Sequence, residues 1–533
     1  MKVKVWELML AGIIAAVTMG GCENKTDQNP DSIVENPDST AKKESKASDN
    51  TLYTVDWDEV AEIEILLMDS AKGTTEEMKS RVEDGINKIT EDEIRVHVSL
   101  NYVSMGSYAQ QVSLMMSSGE NLDLLLTAPM DAAAFNVLAS NKQLLDITDL
   151  LDEYGQPVLD VVGDLIKGTT VDGTVYGVPV YRSLGSELSI YIRKDILEDL
   201  GLVEQAQAIE SWDELTEIWD TILSDEKYAG MTALAPGPGP CLISKSGSYN
   251  AKDTFSDSVT YDTLGNANKL IAVLGDSDEV ILNYENEQYF DMIRLMEEWD
   301  AKGYIYKDSL TAESGADLMK NNVAVSCIID TEFGSELTAA ATYGYDVVKI
   351  PVVKYPISTT SVTKFTWAVP NMSKEPEAAI AFMSMMYTDS RIANLMAWGV
   401  EGVDYEVVDG VAKYVEGNED NAYHSSDYMV GNQFIVLPWD GQSADYRQKQ
   451  MEDMEASPIS KYLGFSVDTN SITNELSAVS VAINEYVPTL ECGFGDEALY
   501  EAFIDKLYDS GVQKIIDEYQ KQLDEWLALE AAQ

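Results

Sequence analysis

The strongest constraint on the fold is an alternation of strand-like and helix-like segments between residues 61 and 129. Apolar alternation or continuous apolar runs mark the strands, and a helical period marks the helices. The segments are, in order, AEIEILLMD (61–69), TEEMKSRVEDGINKITEDE (75–93), IRVHVSLNYV (94–103), YAQQVSLMMSSGE (108–120) and LDLLLTAP (122–129). This β-α-β-α-β order predicts an α/β fold with a mainly parallel sheet flanked by helices. Ligands of such sheets bind beyond the carboxyl ends of the strands, so the loops 68–74 and 127–132 are expected to line a site.

Length and charge narrow the functional classes. The chain has 533 residues, which is enough for two domains of ordinary size. Its 92 acidic residues outnumber 36 Lys and Arg, giving a formal net charge of −56. Such a chain repels phosphate backbones and anionic lipid headgroups, so nucleic acid and acidic membrane surfaces are excluded as partners of the folded body.

The N-terminus has the pattern of a secretory signal peptide. Two lysines stand within the first four residues, and an apolar run covers residues 8–19. A bilayer-spanning helix needs about 20 apolar residues, so this run is too short to remain as an anchor. Cys22 follows two glycines, an arrangement that resembles the bacterial lipobox, in which the cysteine is acylated. The alternative is an ordinary secreted protein with a chance cysteine. We therefore predict a signal peptide over 1–21 and lipidation of Cys22.

The segment after Cys22 is predicted to be a disordered tether over residues 22–52. It is rich in Asn, Asp, Ser, Lys, Glu, Thr and Pro, with few large apolar side chains, so it cannot bury enough surface to offset the entropy of ordering. Stable anchoring needs more than one acyl chain, which a diacylated cysteine supplies. The expected location is the extracytoplasmic face of the cell membrane, through a lipid anchor.

The sequence offers little for catalysis or metal binding. It has two histidines, His97 and His424, and no CxxC, HExxH or EF-hand spacing. His97 lies in a strand-like segment and is interpreted as structural. Three further cysteines allow at most one disulfide, and they are Cys241, Cys327 and Cys492. We expect no cofactor, no metal and no enzymatic activity, although paired carboxylates of a glycoside hydrolase occur by chance in so acidic a chain.

An ordered set of motifs resembles the family 1 extracellular solute-binding proteins of ABC importers. The motifs are DGTVYGVPVYRSLGSELSIYIRKDILEDLGL (172–202), ESWDELTEIWDTIL (210–223), MKNNVAVSCIIDT (319–331) and FTWAVPNMSKEPEAAIAFMSMMYTD (365–389). Two later segments are similar to the LipO-like lipoprotein subgroup, WGVEGVDYEVVDG (398–410) and GFSVDTNSITNELSAVSVAINEYVPTLECG (464–493). The resemblance runs from about residue 60 to the end of the chain.

The resemblance implies a two-lobed periplasmic-binding-protein-like fold with a hinge between the lobes. The expected first lobe is 53–182 with 332–390, and the expected second lobe is 183–331 with 391–533. Chain crossings between the lobes are expected at about 181–188, at 330–333 and near Ser390. Two lobes joined in this way can close on one ligand and contact it from both sides.

The function implied by the resemblance is capture of a sugar or oligosaccharide for ABC permease subunits in the membrane, by a monomer. Nine Trp and 28 Tyr suit such a ligand, because sugars pack apolar faces on rings and need polar partners for their hydroxyls. Two alternatives stay open at this point. One is a surface polysaccharide hydrolase or lyase, and the other is a surface adhesin without a transporter.

Candidate ligand-binding residues follow from their positions in these segments. Tyr181 and Arg182 follow the YGVPV strand at the expected crossing, and Arg182 could grip hydroxyls or a carboxylate, or form an ion pair between the lobes. Asp131 could bind ligand or cap a helix. The full set of candidates is Met130, Asp131, Tyr181, Arg182, Trp367, Trp398 and Glu401.

Overall fold

Two β-sheets, each with its own hydrophobic core, organise the protein in its computed structural model. The structure describes residues 52–69, 73–235, 248–249, 254–255, 259–266, 268–275, 277–312 and 315–532. The predicted signal peptide, Cys22 and the predicted tether up to residue 51 lie outside the described residues, as does Cys241.

The strands of the described residues fall into two larger sheets, a smaller four-stranded sheet and two hairpins. In chain order they are β1 (Ala61–Met68), β2 (Val96–Val103), β3 (Leu124–Thr127), β4 (Thr170–Val171), β5 (Thr174–Val175), β6 (Val178–Pro179), β7 (Ser186–Arg193), β8 (Thr232–Ala235), β9 (Ser248–Tyr249), β10 (Val259–Asp262), β11 (Ile271–Leu274), β12 (Ile281–Leu282), β13 (Ala324–Glu332), β14 (Val347–Lys354), β15 (Thr366–Ala368), β16 (Tyr405–Val408) and β17 (Val411–Tyr414).

The α-helices pack on these sheets and continue beyond them to the end of the chain. In chain order they are α1 (Glu76–Glu93), α2 (Met105–Ser118), α3 (Phe135–Ser140), α4 (Thr148–Tyr154), α5 (Gln156–Val162), α6 (Lys194–Leu200), α7 (Val203–Gln207), α8 (Trp212–Ser224), α9 (Glu287–Ala301), α10 (Gly315–Lys320), α11 (Ala339–Tyr343), α12 (Thr359–Thr363), α13 (Pro376–Thr388), α14 (Ser390–Trp398), α15 (Tyr446–Glu455), α16 (Thr473–Glu491), α17 (Glu497–Asp509) and α18 (Val512–Glu530).

The first sheet has the order β2-β1-β3-β15-β6. Strands β2, β1 and β3 run parallel, as the β-α-β-α-β pattern predicts, and β15 runs antiparallel to both β3 and β6. Helix α1 begins with Thr75, whose side chain accepts from the N–H of Met78, and it buries Met78, Val82 and Ile86 against the sheet. The first core contains residues from Tyr53 to Val180 and from Phe365 to Val436. We refer to this part as the first lobe.

The second sheet has the order β14-β7-β13-β8. Strand β7 runs antiparallel to both of its neighbours, while β13 and β8 are parallel. The sheet is therefore mixed rather than mainly parallel as expected, because β7 leads away from the first lobe and β13 and β14 both return toward it. The second core contains residues from Leu188 to Val352 and from Tyr462 to Leu523. We refer to this part as the second lobe.

Three long helices, α16 to α18, complete the second lobe. Their buried side chains, such as Val479, Phe503 and Leu523, belong to the same core as Ile190 of β7 and Met296 of α9. Helices α16 to α18 are thus part of the second lobe and have no core of their own.

The division of the chain between the lobes differs from the expected boundaries. Strand β14, at 347–354, pairs with β7 in the second lobe, although 332–390 was expected in the first. Residues 391 to 436 were expected in the second lobe, yet Ile392, Met396 and Val436 are buried in the first core. The apolar pattern alone does not distinguish the two cores, because both are built from the same residue types.

Candidate functional site

The two larger sheets turn one edge each toward the other lobe. Strands β1, β2, β3 and β6 end at the same edge of the first sheet, because they run in the same direction. Strand β7 begins three residues after Ser183 at the facing edge of the second sheet, where β13 and β14 end, with Ser186 paired to Glu332 and Glu187 to Lys354. The loops at these two edges line the cleft between the lobes, in accordance with the rule for ligand sites of α/β sheets.

Three segments cross between the lobes, at 180–186, 355–365 and 440–462. The first agrees with the expected crossing, whereas those expected at 330–333 and near Ser390 are wrong, since β13 and α14 each continue within one lobe. All three segments contribute to one small apolar group, which we call the hinge cluster. Its members are Leu165, Leu184, Ile357, Val362, Met454 and Leu463.

Asp131 stands in the loop after β3, at the cleft edge of the first sheet. It begins a short 3-10 turn over Asp131–Ala133, so it is not the N-cap residue of a helix. Its backbone φ of 35° lies in a region that is strained for a residue with a side chain. The carboxylate is exposed and has no partner within the described part of the chain. Met130 beside it is half-buried against the first core. The loop therefore offers one unpaired anion to the cleft.

Tyr181 lies at the first crossing, between the first core and the hinge cluster. Its N–H donates to Gly431 O at 2.9 Å, and its ring meets the Phe434 ring edge-on with centroids 5.2 Å apart. Burial raises the pKa of the phenol, with a smaller contribution from Glu455. Because its pKa is raised, the hydroxyl stays protonated. Because the side chain is only half-buried, the hydroxyl is also available as a donor.

Arg182 is buried and makes few hydrogen bonds for a guanidinium. Nη1 donates to Ser183 O at 2.9 Å and lies 4.0 Å from Glu332 Oε1, and the guanidinium carbon is 5.6 Å from the ring centre of Phe365. Burial lowers the Arg182 pKa, and Glu332 partly offsets this. A guanidinium has five N–H donors. The arginine thus forms the ion pair between the lobes and keeps further donors near the first crossing.

Trp367 is a core residue, contrary to the expectation that it contacts ligand. It lies in β15 between β3 and β6 and is 0% exposed. A central strand covered by helices on both faces buries all of its side chains, and all three residues of β15 are buried.

Trp398 is also buried, at 1% exposure. Its Nε1 donates to Leu437 O at 3.1 Å, and its ring stacks on His424 and on Trp439 with centroid distances of 4.3 and 4.7 Å. The expectation of direct ligand contact is therefore wrong. Glu401 is exposed, four residues before β16, and its backbone forms a bridge with that of Tyr405. Contact of Glu401 with ligand stays a prediction.

The sequence analysis missed a contact between the lobes at the end of β13. The Phe333 ring packs on the Tyr446 ring with centroids 5.3 Å apart, and Tyr446 Oη donates to Phe333 O at 3.2 Å. Gly334 has a φ of 73°, and a Cβ at this position would collide with the Tyr446 ring. The glycine is the one signal in the sequence, since it follows an aromatic residue directly after a strand.

The described residues hold no cluster of three or more His, Cys, Asp and Glu side chains arranged for a metal ion. His97 Nδ1 lies 2.7 Å from Glu91 Oε1 in an exposed pair far from the cleft edge, at the second residue of β2. Within the described ranges, no helix combines the length and the apolar character needed to cross a bilayer.

Comparison with known proteins is consistent with this architecture. The profile of a family described as bacterial extracellular solute-binding protein matches residues 86–411, and that of a domain of unknown function, DUF3502, matches 461–528. A carbohydrate ABC transporter substrate-binding protein of Streptococcus pneumoniae serotype 4 (strain ATCC BAA-334 / TIGR4) is 25% identical over 457 residues, which cover 83% of this chain and 87% of the relative.

Several solved structures share the fold. The N-glycan transport solute binding protein NgtS from Streptococcus pneumoniae superposes with a TM-score of 0.71 at 19% identity, covering 88% of this chain and 99% of that one. A second structure of NgtS, in complex with Man1GlcNAc, has a TM-score of 0.61 at 19% identity and covers 88% and 100%. An HMO binding solute-binding protein from Bifidobacterium longum infantis ATCC 15697, associated with an ABC transporter, has a TM-score of 0.63 at 17% identity and covers 88% and 99%.

Proposed function

Because the chain belongs to the bacterial extracellular solute-binding protein family, we propose that it is the substrate-binding subunit of an ABC importer and captures a sugar or oligosaccharide between its lobes. The observation that carries the proposal is the pair of separate cores joined by three crossings that share the hinge cluster. A ligand that contacts both lobes stabilises the closed form over the open form and so drives closure.

The polar groups at the cleft edges suit a neutral, hydroxyl-rich ligand. Asp131 supplies an acceptor, and Tyr181 and Arg182 supply donors. The strong negative charge of the chain disfavours anionic ligands. The relative named as a carbohydrate ABC transporter substrate-binding protein and the NgtS complex with Man1GlcNAc support the choice of a sugar.

The test is calorimetric titration of the protein with a panel of mono- and oligosaccharides that includes Man1GlcNAc, together with small-angle scattering to follow compaction. We expect one-site binding, a smaller radius of gyration in the presence of the ligand, and unchanged sugar in the mixture afterwards. If no sugar binds, or if binding leaves the radius unchanged, the proposal is wrong. Cleavage products in the mixture would favour the hydrolase or lyase alternative.

We further propose that the protein is held on the extracytoplasmic face of the membrane by acylated Cys22, as a monomer that presents ligand to permease subunits. The support is the short apolar run, the two glycines before Cys22 and the polar segment after it. Membership of the LipO-like subgroup stays a prediction.

A further inference from the structure

An aromatic layer covers the buried ring of Trp398 in the first lobe. The layer consists of the rings of His424 and Trp439, which are parallel to the Trp398 ring within 3°. The centroid of Trp398 is 4.3 Å from that of His424 and 4.7 Å from that of Trp439, and the centroids of His424 and Trp439 are 5.1 Å apart. Parallel rings in contact lie about 3.5 Å apart, so the outer rings of a three-ring column would be about 7 Å apart. The nearly equal distances therefore place His424 and Trp439 side by side on one face of Trp398.

Tyr414 packs against this layer. Its ring is nearly perpendicular to that of Trp439, at 82°, and its hydroxyl lies 3.3 Å from His424 Nδ1, whose lone pair or N–H is directed in the plane of the imidazole. His424, Trp439 and Tyr414 are each partly exposed, in contrast to Trp398. The layer thus has one face supported by Trp398, a hydroxyl beside it and rings that are partly exposed to solvent.

Tyr423, the residue before His424 in the chain, shows where the layer lies relative to the first sheet. Its hydroxyl is 2.9 Å from that of Tyr102, which is the residue before the last of β2. Strand β2 ends at the cleft edge and lies at one side of the first sheet, whereas β6, which leads to Tyr181, lies at the other side. Four strand intervals of about 4.8 Å separate β2 from β6, or about 19 Å in all. The layer and Tyr181 therefore mark opposite ends of the cleft edge.

We infer that the outer face of His424 and Trp439 is a distal subsite for one unit of an oligosaccharide whose other end lies near Tyr181 and Arg182. This inference rests on the proposed function. A flat aromatic surface with a hydroxyl at its edge is complementary to the apolar face and rim hydroxyls of a hexose. A hexose is about as wide as one strand interval, so a ligand that reaches both ends has several units.

The experiment compares the affinity of the wild type for a series of increasing length, namely mannose, Man1GlcNAc and Man5GlcNAc, with that of Trp439→Ala. We expect affinity to rise with length in the wild type, and the variant to lose about tenfold to hundredfold for Man5GlcNAc with little change for mannose. Trp439→Phe keeps a ring and is expected to retain most of the affinity. It also keeps the test valid if the alanine variant does not fold.

Trp526→Ala is the matched control, since Trp526 is also a half-buried tryptophan but packs on Phe465 in the second lobe. This variant is expected to bind the whole series as the wild type does. If the wild type binds sugars but its affinity does not depend on length, or if Trp439→Ala binds Man5GlcNAc like the wild type, the subsite is overturned and the proposed function stands. If the wild type binds no sugar of the wider panel, the proposed function itself is overturned.

Discussion

Arg182 and Glu332 face each other across the boundary between the lobes, with 4.0 Å between Nη1 and Oε1. The two side chains differ in environment, because Arg182 is 7% exposed and Glu332 is 53% exposed. Water screens the exposed partner, so the pair itself contributes little to stability. The arginine bears most of the desolvation cost of the pair.

Replacing Arg182 by Met removes a buried charge and keeps much of its volume. Because Glu332 stays hydrated when its partner is lost, we expect the free energy of unfolding to stay within about 1 kcal/mol of the wild type, or to rise. The affinity for oligosaccharide is expected to fall about tenfold or more, measured by calorimetry. In the matched variant Glu332→Gln the arginine is left unpaired, and stability should fall by up to about 1 kcal/mol. A strongly destabilised Arg182→Met that still binds sugar normally would make the arginine a purely structural residue.

Gly334→Ala tests the contact between Phe333 and Tyr446. An alanine at φ 73° costs about 1–2 kcal/mol of backbone strain and also displaces the Tyr446 ring. Gly303 has nearly the same φ, 77°, with open space around it, so Gly303→Ala carries the strain alone. We expect both variants to lose stability, Gly334→Ala the more because its Cβ also displaces the Tyr446 ring, and only Gly334→Ala to change the radius of gyration of the ligand-free protein in small-angle scattering. Equal scattering curves for the two variants would contradict this.

Asp404 ties the 399–423 segment to α1. Its fully buried carboxylate accepts from Arg81 Nε at 3.0 Å and from the N–H groups of Val400 and Tyr423 at 2.8 and 2.6 Å. Asp404→Asn leaves the arginine without its anion, so the free energy of unfolding should fall by about 3 kcal/mol in urea titrations. Lys302→Ala, which breaks an exposed pair with Glu298, is the control and should cost less than about 1 kcal/mol. If the two variants lose a comparable free energy of unfolding, Asp404 does not link the 399–423 segment to α1 more strongly than an exposed ion pair would.

The thiol of Cys327 makes stability depend on pH in the alkaline range. Burial raises its pKa to about 12, whereas an unfolded cysteine ionises near pH 8.5. Between these values the unfolded chain holds fewer protons than the folded one, so stability falls as pH rises. The loss attributable to this thiol is about 2 kcal/mol at pH 10. Denaturant titrations of the wild type and Cys327→Ala at pH 7.5 and 10 measure it. The wild type should lose more stability than the variant over this interval, and equal losses would refute the assignment.

Cys22→Ser tests the proposed anchor. Serine lacks the thiol that carries the lipid, so the protein should appear in the culture medium with an unchanged circular dichroism spectrum and lose incorporation of labelled palmitate. Retention of the variant in the membrane fraction would show that another feature holds the protein there.

The sequence predicts the elements of the first sheet well and the exposure of its aromatic residues poorly. β1, α1, β2, α2 and β3 each lie within about three residues of their predicted bounds, because periodicity is a local property of the chain. Trp367 and Trp398 were taken for ligand contacts, but their burial depends on what packs over them. For Trp398 these are His424 and Trp439, 26 and 41 residues later in the chain, which no local pattern relates to it.

The positions of Tyr181 and Arg182 were predicted better than the exposure of the two tryptophans, since both residues lie at the first crossing. The motif around them marks the end of one strand and the start of the next, and that order is local. Their roles as ligand contacts stay predictions. Phe333 was not found, because its importance comes from Tyr446, which reaches it from the third crossing.

The composition of the second core bears on how the chain is made and exported. Leu188 and Leu523 are buried in the same core, although more than half of the chain lies between them. A chain that emerges from the ribosome N-terminus first cannot complete this lobe until its last helix, α18, is available. Strand β12 and helices α16 and α17, which pack on α18, keep apolar surface uncovered until then, which suits a protein that crosses a membrane before it folds. For the same reason, a truncation or fusion that disturbs α18 will expose part of the second core and not merely shorten its end.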